Sequence, residues 1–273
     1  MKKLLTIASL LILTSVNAQV HRFYYELTYK PNKDSVKTEK EMMVLDVAKD
    51  ESVFLPYKQL QYDSLLAASI KKQKELGSSF DMSKFANPPH LGFRIIKLKS
   101  GNLNYKDIVG VSENYNYDED PDLKWEISSD KEKIGTYNVQ KATIDYGGRS
   151  WTAWFTSEIP IQDGPYKFSG LPGLIIKLED SGKNFIWNLE GNKKLKQNIN
   201  SNKLNYLEEQ GMISKKITKK AFLKRQQEYS NNPMGQMMQM FDEKDAVLMK
   251  KLKEEETRVK SQIIRYNNPI EIH

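Results

Sequence analysis

Polar and apolar residues alternate through the first part of the chain. In 21–30, Phe23, Tyr25, Leu27 and Tyr29 are spaced by two, which puts them on one side of a strand and leaves the other side to polar groups. Pro31-Asn32-Lys33-Asp34 interrupts this pattern, and 42–47 and 52–55 predict two more short strands. The period then changes. Pro56 suits the first turn of a helix, and Leu60, Leu65, Ala68 and Leu76 recur at spacings that predict a helix over 56–76, ended by Gly77 and acting as a lid or crossover. Residues 77–90 are polar and close on Asn87-Pro88-Pro89, so they read as a loop, because a residue before proline is driven out of the helical region.

Strand signals return at 93–98, with a turn at Ser100-Gly101-Asn102 and a partner strand over 105–111. Residues 125–128 and 135–146 lead into Gly147-Gly148, a two-residue hairpin signal, and then into 149–155. Two further strands are predicted at 174–179 and 185–189, parted by Ser181-Gly182, with Phe185, Trp187 and Leu189 sharing a face. The four segments from 135 to 189 are expected as successive antiparallel strands. After Asn200 the chain is rich in Lys, Glu, Gln, Met and Leu, which predicts helices over 215–229 and 243–265, and 267–273 is a candidate edge strand. Strand-rich blocks followed by helical ones predict an α+β fold: a curved, mainly antiparallel sheet resembling half a barrel, with one helix near 56–76 and others in the last third.

The start of the chain supplies an address. Lys2 and Lys3 precede an apolar run over 4–13, and small and polar residues end at Val16-Asn17-Ala18, the three-part form of a secretory signal with cleavage expected between Ala18 and Gln19. The apolar run is too short to span roughly 30 Å of hydrocarbon, and no later segment is longer, so the mature chain, 19–273, is expected to be one domain without a transmembrane segment, periplasmic or secreted. Cysteine is absent, which excludes both a lipid-modified cysteine and a disulfide scaffold and leaves stability to burial and backbone pairing. The net charge of +7 is spread among interleaved acids, which argues against nucleic-acid binding and still permits peripheral contact with an anionic membrane face or an acidic partner.

The densest stretch is 151–180. Gly164-Pro165-Tyr166-Lys167-Phe168 and Gly170-Leu171-Pro172-Gly173-Leu174-Ile175 combine glycines free to take positive φ, prolines that fix φ, and branched residues suited to a buried strand. The loop 160–173 is therefore expected to fold on itself as an Ω-like structure packed by Tyr166, Phe168 and Leu171. With Thr152-Ala153-Trp154-Phe155-Thr156 upstream, this block resembles the GLPGLI family of secreted proteins from the Bacteroidetes group. The likeness is most specific over 134–189. It implies an exported protein of uncharacterised function, and it brings no catalytic residue or cofactor with it. At Val139 many members carry cysteine, so any thiol role there is lost in this chain.

Candidate chemistry is sparse. His21, His90 and His273 are scattered, and no Gly-x-Ser-x-Gly elbow or cysteine nucleophile is present, so neither a metal nor a cofactor is expected. Pro165 and Pro172 remove donors, and a strand follows where a phosphate cradle would need a helix. The run Asp118-Glu119-Asp120-Pro121-Asp122 lacks the glycine and distal glutamate of a calcium loop and reads as a solvated acidic turn. The leading expectation is a non-enzymatic envelope protein that binds a protein partner, or an apolar or peptide-like ligand, through the loop 160–173 and Trp154, Tyr166, Phe168 and Leu171. The alternative is a hydrolase using two of Glu158, Asp163, Asp145 and Asp180, or Glu179 with Asp180.

Overall fold

Alternation in the first strand sets the geometry of everything built beside it. In Val20–Tyr29 (β1), Phe23, Tyr25, Leu27 and Tyr29 enter the main core, while Val20 joins a smaller cluster on the other face. The computed structural model describes residues 20–77, 90–110, 113–195, 214–239 and 246–273. The leader over 1–18, most of the loop 77–90 and the start of the helix expected at 243 lie outside the described residues.

Eleven more strands follow: Glu39–Val47 (β2), Glu51–Pro56 (β3), Arg94–Leu98 (β4), Leu103–Val109 (β5), Glu113–Glu119 (β6), Glu126–Ile134 (β7), Tyr137–Tyr146 (β8), Arg149–Thr156 (β9), Leu174–Asp180 (β10), Phe185–Leu195 (β11) and Lys215–Lys216 (β12). They form one open sheet in the order β12-β6-β5-β4-β3-β2-β1-β11-β10-β9-β8-β7. Every neighbouring pair is antiparallel except β12 with β6. Because β1 pairs with β11, the first strand sits mid-sheet and joins two meanders. The α+β class and the curved, mainly antiparallel sheet are as the sequence predicts.

The helices are Tyr57–Leu76 (α1), Lys219–Asn231 (α2), Gly235–Gln239 (α3) and Ala246–Arg265 (α4). Pro56 is the cap of α1 rather than its first residue, and the helix stops at Gly77, whose φ of 60° lets its N–H reach Gln73 O. The start of α1 covers the outer face, where Leu60 packs on Val44, Val53 and Leu55 and Asp63 pairs with Arg94. The opposite, inner face carries the larger core together with residues 157–173 and Phe222 of α2. No described helix is long and apolar enough to cross a membrane.

Three expectations need correction. Residues 215–216 pair as β12 and the helix begins at Lys219, because the Thr218 side chain caps it by accepting from the Ala221 N–H at 3.2 Å. The C-terminal segment is no edge strand: the Asn268 N–H bonds Pro31 O, the Ile272 N–H bonds Gly147 O, and Glu271 is buried. The acidic run is not simply a solvated turn either, since Asp118 and Glu119 end β6 and Glu119 points inward to lysines. Strand β7, by contrast, has almost no buried side chain, so apolar alternation could not reveal it; its charges suit an edge that must stay soluble.

Candidate functional site

Short hydrogen bonds fold residues 157–173 onto themselves. Asp163 and Ser169 form an isolated bridge, the Gly170 N–H bonds Gln162 O, and the Phe168 N–H bonds Pro165 O across a turn in which Tyr166 has a φ of 55°. Lys97 of β4 ties the turn to the sheet: its Nζ donates to Gly164 O at 2.7 Å and Phe168 O at 3.3 Å and pairs with Asp163. Gly173 closes the loop where only a glycine fits, because a Cβ there would lie 2.0 Å from Thr156 O.

This packing turns the loop's apolar side chains inward. Tyr166, Phe168 and Leu171 are 4%, 0% and 1% exposed, and Phe168 lies against Trp151, Tyr146 and Trp125. Trp154 alternates onto the outer face of β9, where the Lys177 ammonium sits 4.6 Å from its ring centroid. The four residues therefore do not form one exposed recognition surface; of them, Tyr166 reaches a cavity.

Beside Tyr166, the fully buried Lys167 organises a four-charge cluster that local sequence does not announce. Its Nζ donates to Glu119 Oε2 at 2.7 Å and to the Tyr117 hydroxyl at 3.1 Å, and it pairs with Glu271 Oε1. Lys219 of α2 closes the ring, with Glu119 Oε1 at 2.7 Å and Glu271 Oε2 at 2.8 Å. Two ammonium groups and two carboxylates balance, as burial requires. The rings of Tyr105, Tyr117 and Tyr166 surround the Lys167 Nζ at 5.0, 5.3 and 5.5 Å. Burial acts to raise the Glu271 carboxyl, but Lys167 and Lys219 outweigh it and hold it at about 2; Glu119 is lowered in the same way.

A cavity of about 620 Å³ opens next to this cluster. Phe93, Tyr105, Tyr166, Phe185 and Phe222 supply aromatic wall, and Asp107, Gln226, His90 and His273 supply polar groups. Asp107 is only half-buried by surface, yet desolvation pushes its carboxyl up to about 6, against the bonds it accepts from the Ile108 N–H and the Tyr105 hydroxyl. Burial lowers both His90 and His273 below the usual imidazole range. Two histidines that look unrelated in sequence thus line one cavity. Among the described residues no group of three or more His, Asp or Glu is placed to hold a metal ion.

The acids singled out in the sequence are each engaged by partners of their own. Glu158 accepts from the Asn138 backbone and side chain, Asp163 is taken by Lys97, Asp145 faces outward and accepts from Ser150, and Asp180 is buried with Arg149 and Asn184. Glu179 pairs with Lys177. The carboxylates that do meet, Glu119 and Glu271, lie far apart in the chain, and the only local signal was a lone lysine between the aromatics Tyr166 and Phe168.

Comparison with known proteins adds a family match and a fold. A family model described as a protein of unknown function, Porph_ging, matches residues 147–177, a stretch that holds Gly147, Arg149, Tyr166, Lys167 and the Gly170 to Ile175 signature. No curated protein matches. The chain is similar in fold to PNGF-II in two crystal forms. In the C2 form the TM-score is 0.51 at 15% identity, covering 76% of this chain and 32% of that one. In the P21 form it is 0.50 at 14%, covering 76% and 33%. The chain therefore spans about a third of PNGF-II, and at such identity the likeness is one of fold alone.

Proposed function

We propose that this is an exported envelope protein of the GLPGLI type, processed between Ala18 and Gln19, that binds an apolar or peptide-like ligand without transforming it. The observation that carries the reading is the inner-face cavity: about 620 Å³, walled by aromatic rings and provided with a few polar groups, as small-ligand sites are. The loop 160–173 contributes by holding Tyr166 and Lys167 in the cavity wall and cluster, not by offering its aromatics to solvent. The alternative, a carboxylate-dependent hydrolase, draws support from Asp107, whose raised pKa suits a general acid. Binding is favoured because Glu271, the other acid on this cavity, has both oxygens engaged by Tyr166, Lys167 and Lys219.

Native mass spectrometry of protein isolated from the envelope tests the reading, comparing wild type with Ser230→Trp, which fills the cavity from α2. Wild type is expected to lack residues 1–18 and to carry a ligand mass that the folded variant has lost. An unliganded wild type, or equal occupancy in both proteins, refutes the cavity as the binding site. Loss of turnover, rather than of binding, in Asp107→Asn would favour the hydrolase.

A further inference from the structure

A second cleft, of about 660 Å³, lies at the other end of the same loop, between Pro160, Ile161 and Gly170 and the turns that join β2 to β3 and β4 to β5. Its floor is the cross-strand pair Ser52 and Lys97. Gly164 O, Phe168 O and the Asp163 carboxylate saturate the three hydrogens of the Lys97 ammonium, so Lys97 is a held cation and not a base for Ser52. Ser52 is different. It is 3% exposed, and its Oγ has no hydrogen-bond partner, a state that proteins avoid unless something else supplies the bond.

Charge at the mouth of the cleft points to the missing partner. Lys49 and Lys99 are exposed on its lining, and neither makes an ion pair among the described residues. The lining also holds the acids Glu51 and Asp163; Asp163 is neutralised by Lys97 and Glu51 offsets one of the two exposed lysines, so a net positive charge remains. Val47, Pro160 and Ile161 make an apolar wall. We propose that this cleft binds an anionic amphiphile, its carboxylate or phosphate head held by Ser52 Oγ and the ammonium groups of Lys49 and Lys99, and its short apolar body lying against Val47, Pro160 and Ile161. The site shares no residue with the aromatic cavity and stands whether or not that cavity is occupied.

Calorimetric titration of the purified protein with octyl phosphate, octanoate, inorganic phosphate and octanol tests the assignment. Octyl phosphate and octanoate are expected to bind saturably, and inorganic phosphate and octanol at least about tenfold more weakly. Ser52→Ala is expected to weaken binding about tenfold without lowering the melting temperature of the free protein, because it deletes a hydroxyl that bonds nothing. Lys49→Ala with Lys99→Ala, on two exposed side chains, is expected to weaken binding by a similar factor. Equal affinity for octyl phosphate and inorganic phosphate would assign a free-anion site and overturn the amphiphile. Absence of saturable binding by every probe at millimolar concentration, or affinities untouched by both variants, would overturn the site itself.

Discussion

The Tyr166 hydroxyl donates a 2.7 Å hydrogen bond to Glu271 Oε1, joining the middle loop to the C-terminal segment inside the inner face. Removing a partner from this largely buried network leaves a charged group with fewer bonds than its burial requires. Tyr166→Phe, which keeps the ring, should cost about 2 kcal/mol, the order found for a hydrogen bond to a charged group. Lys167→Met leaves Glu119 and Glu271 with Lys219 alone and should cost about 3–5 kcal/mol. Urea unfolding of the two variants measures both; an unchanged Lys167→Met midpoint would mean that the cluster adds nothing to stability.

Acid should weaken the fold through the same carboxylates. Glu271 is held at about 2 against an ordinary 4.5, so its stabilising contribution is full above 4.5 and is lost as pH falls toward 2. Lys167→Met should shift this loss to higher pH by removing the principal cation. Melting curves between pH 2 and 6 follow it, and identical profiles for the two proteins would contradict the cause given for the shift.

Asp107 runs in the opposite sense. With its carboxyl raised from 3.8 to about 6, the folded protein favours the protonated form, and that contribution is present below 3.8 and lost as pH rises through 6. Asp107→Asn should therefore gain stability relative to wild type at pH 8 but not at pH 3.5. A gain of equal size at both values would show that the carboxyl does not titrate as its surroundings indicate.

The two signature glycines should respond differently to alanine. Gly170 has a φ of 88° with nothing within 4 Å of where a Cβ would stand, so Gly170→Ala should cost about 1 kcal/mol from backbone conformation alone. At Gly173 the new Cβ would meet Thr156 O at 2.0 Å, and Gly173→Ala should cost several times as much or prevent folding. Thermal melts rank them; equal losses would remove the close approach as the explanation.

Arg149 grips the last residues through Asn268 Oδ1, Pro269 O and Ile270 O while pairing with Asp180 at 3.0 Å. Arg149→Met should release the segment, and hydrogen exchange at the Ile272 amide, which bonds Gly147 O at 2.7 Å, should accelerate. Unaltered exchange would mean that Glu271 and the Asn268 bonds to Lys30 and Pro31 hold the end of the chain without Arg149.

Local pattern alone was enough to determine most strands, the hairpin at Gly147-Gly148, the helix over 57–76 and a self-packed loop ending at Gly173. Each depends on side-chain period or on the backbone freedom of single residues, and both are properties of neighbours in the chain. Strand β6 shows where that reach ends: Tyr115 and Tyr117 do alternate, but the acidic run beside them suggested a turn, and Glu119 needs Lys167 and Lys219 to be tolerated inside. Tertiary structure alone decided that Glu119, Lys167, Lys219 and Glu271 meet, that His90 and His273 share a cavity, and that Tyr166 and Phe168, expected to pack the loop, join the core of the sheet as well. Charge pairing and burial are set by distance in space, and no periodicity along the chain records which distant residues the sheet order brings together.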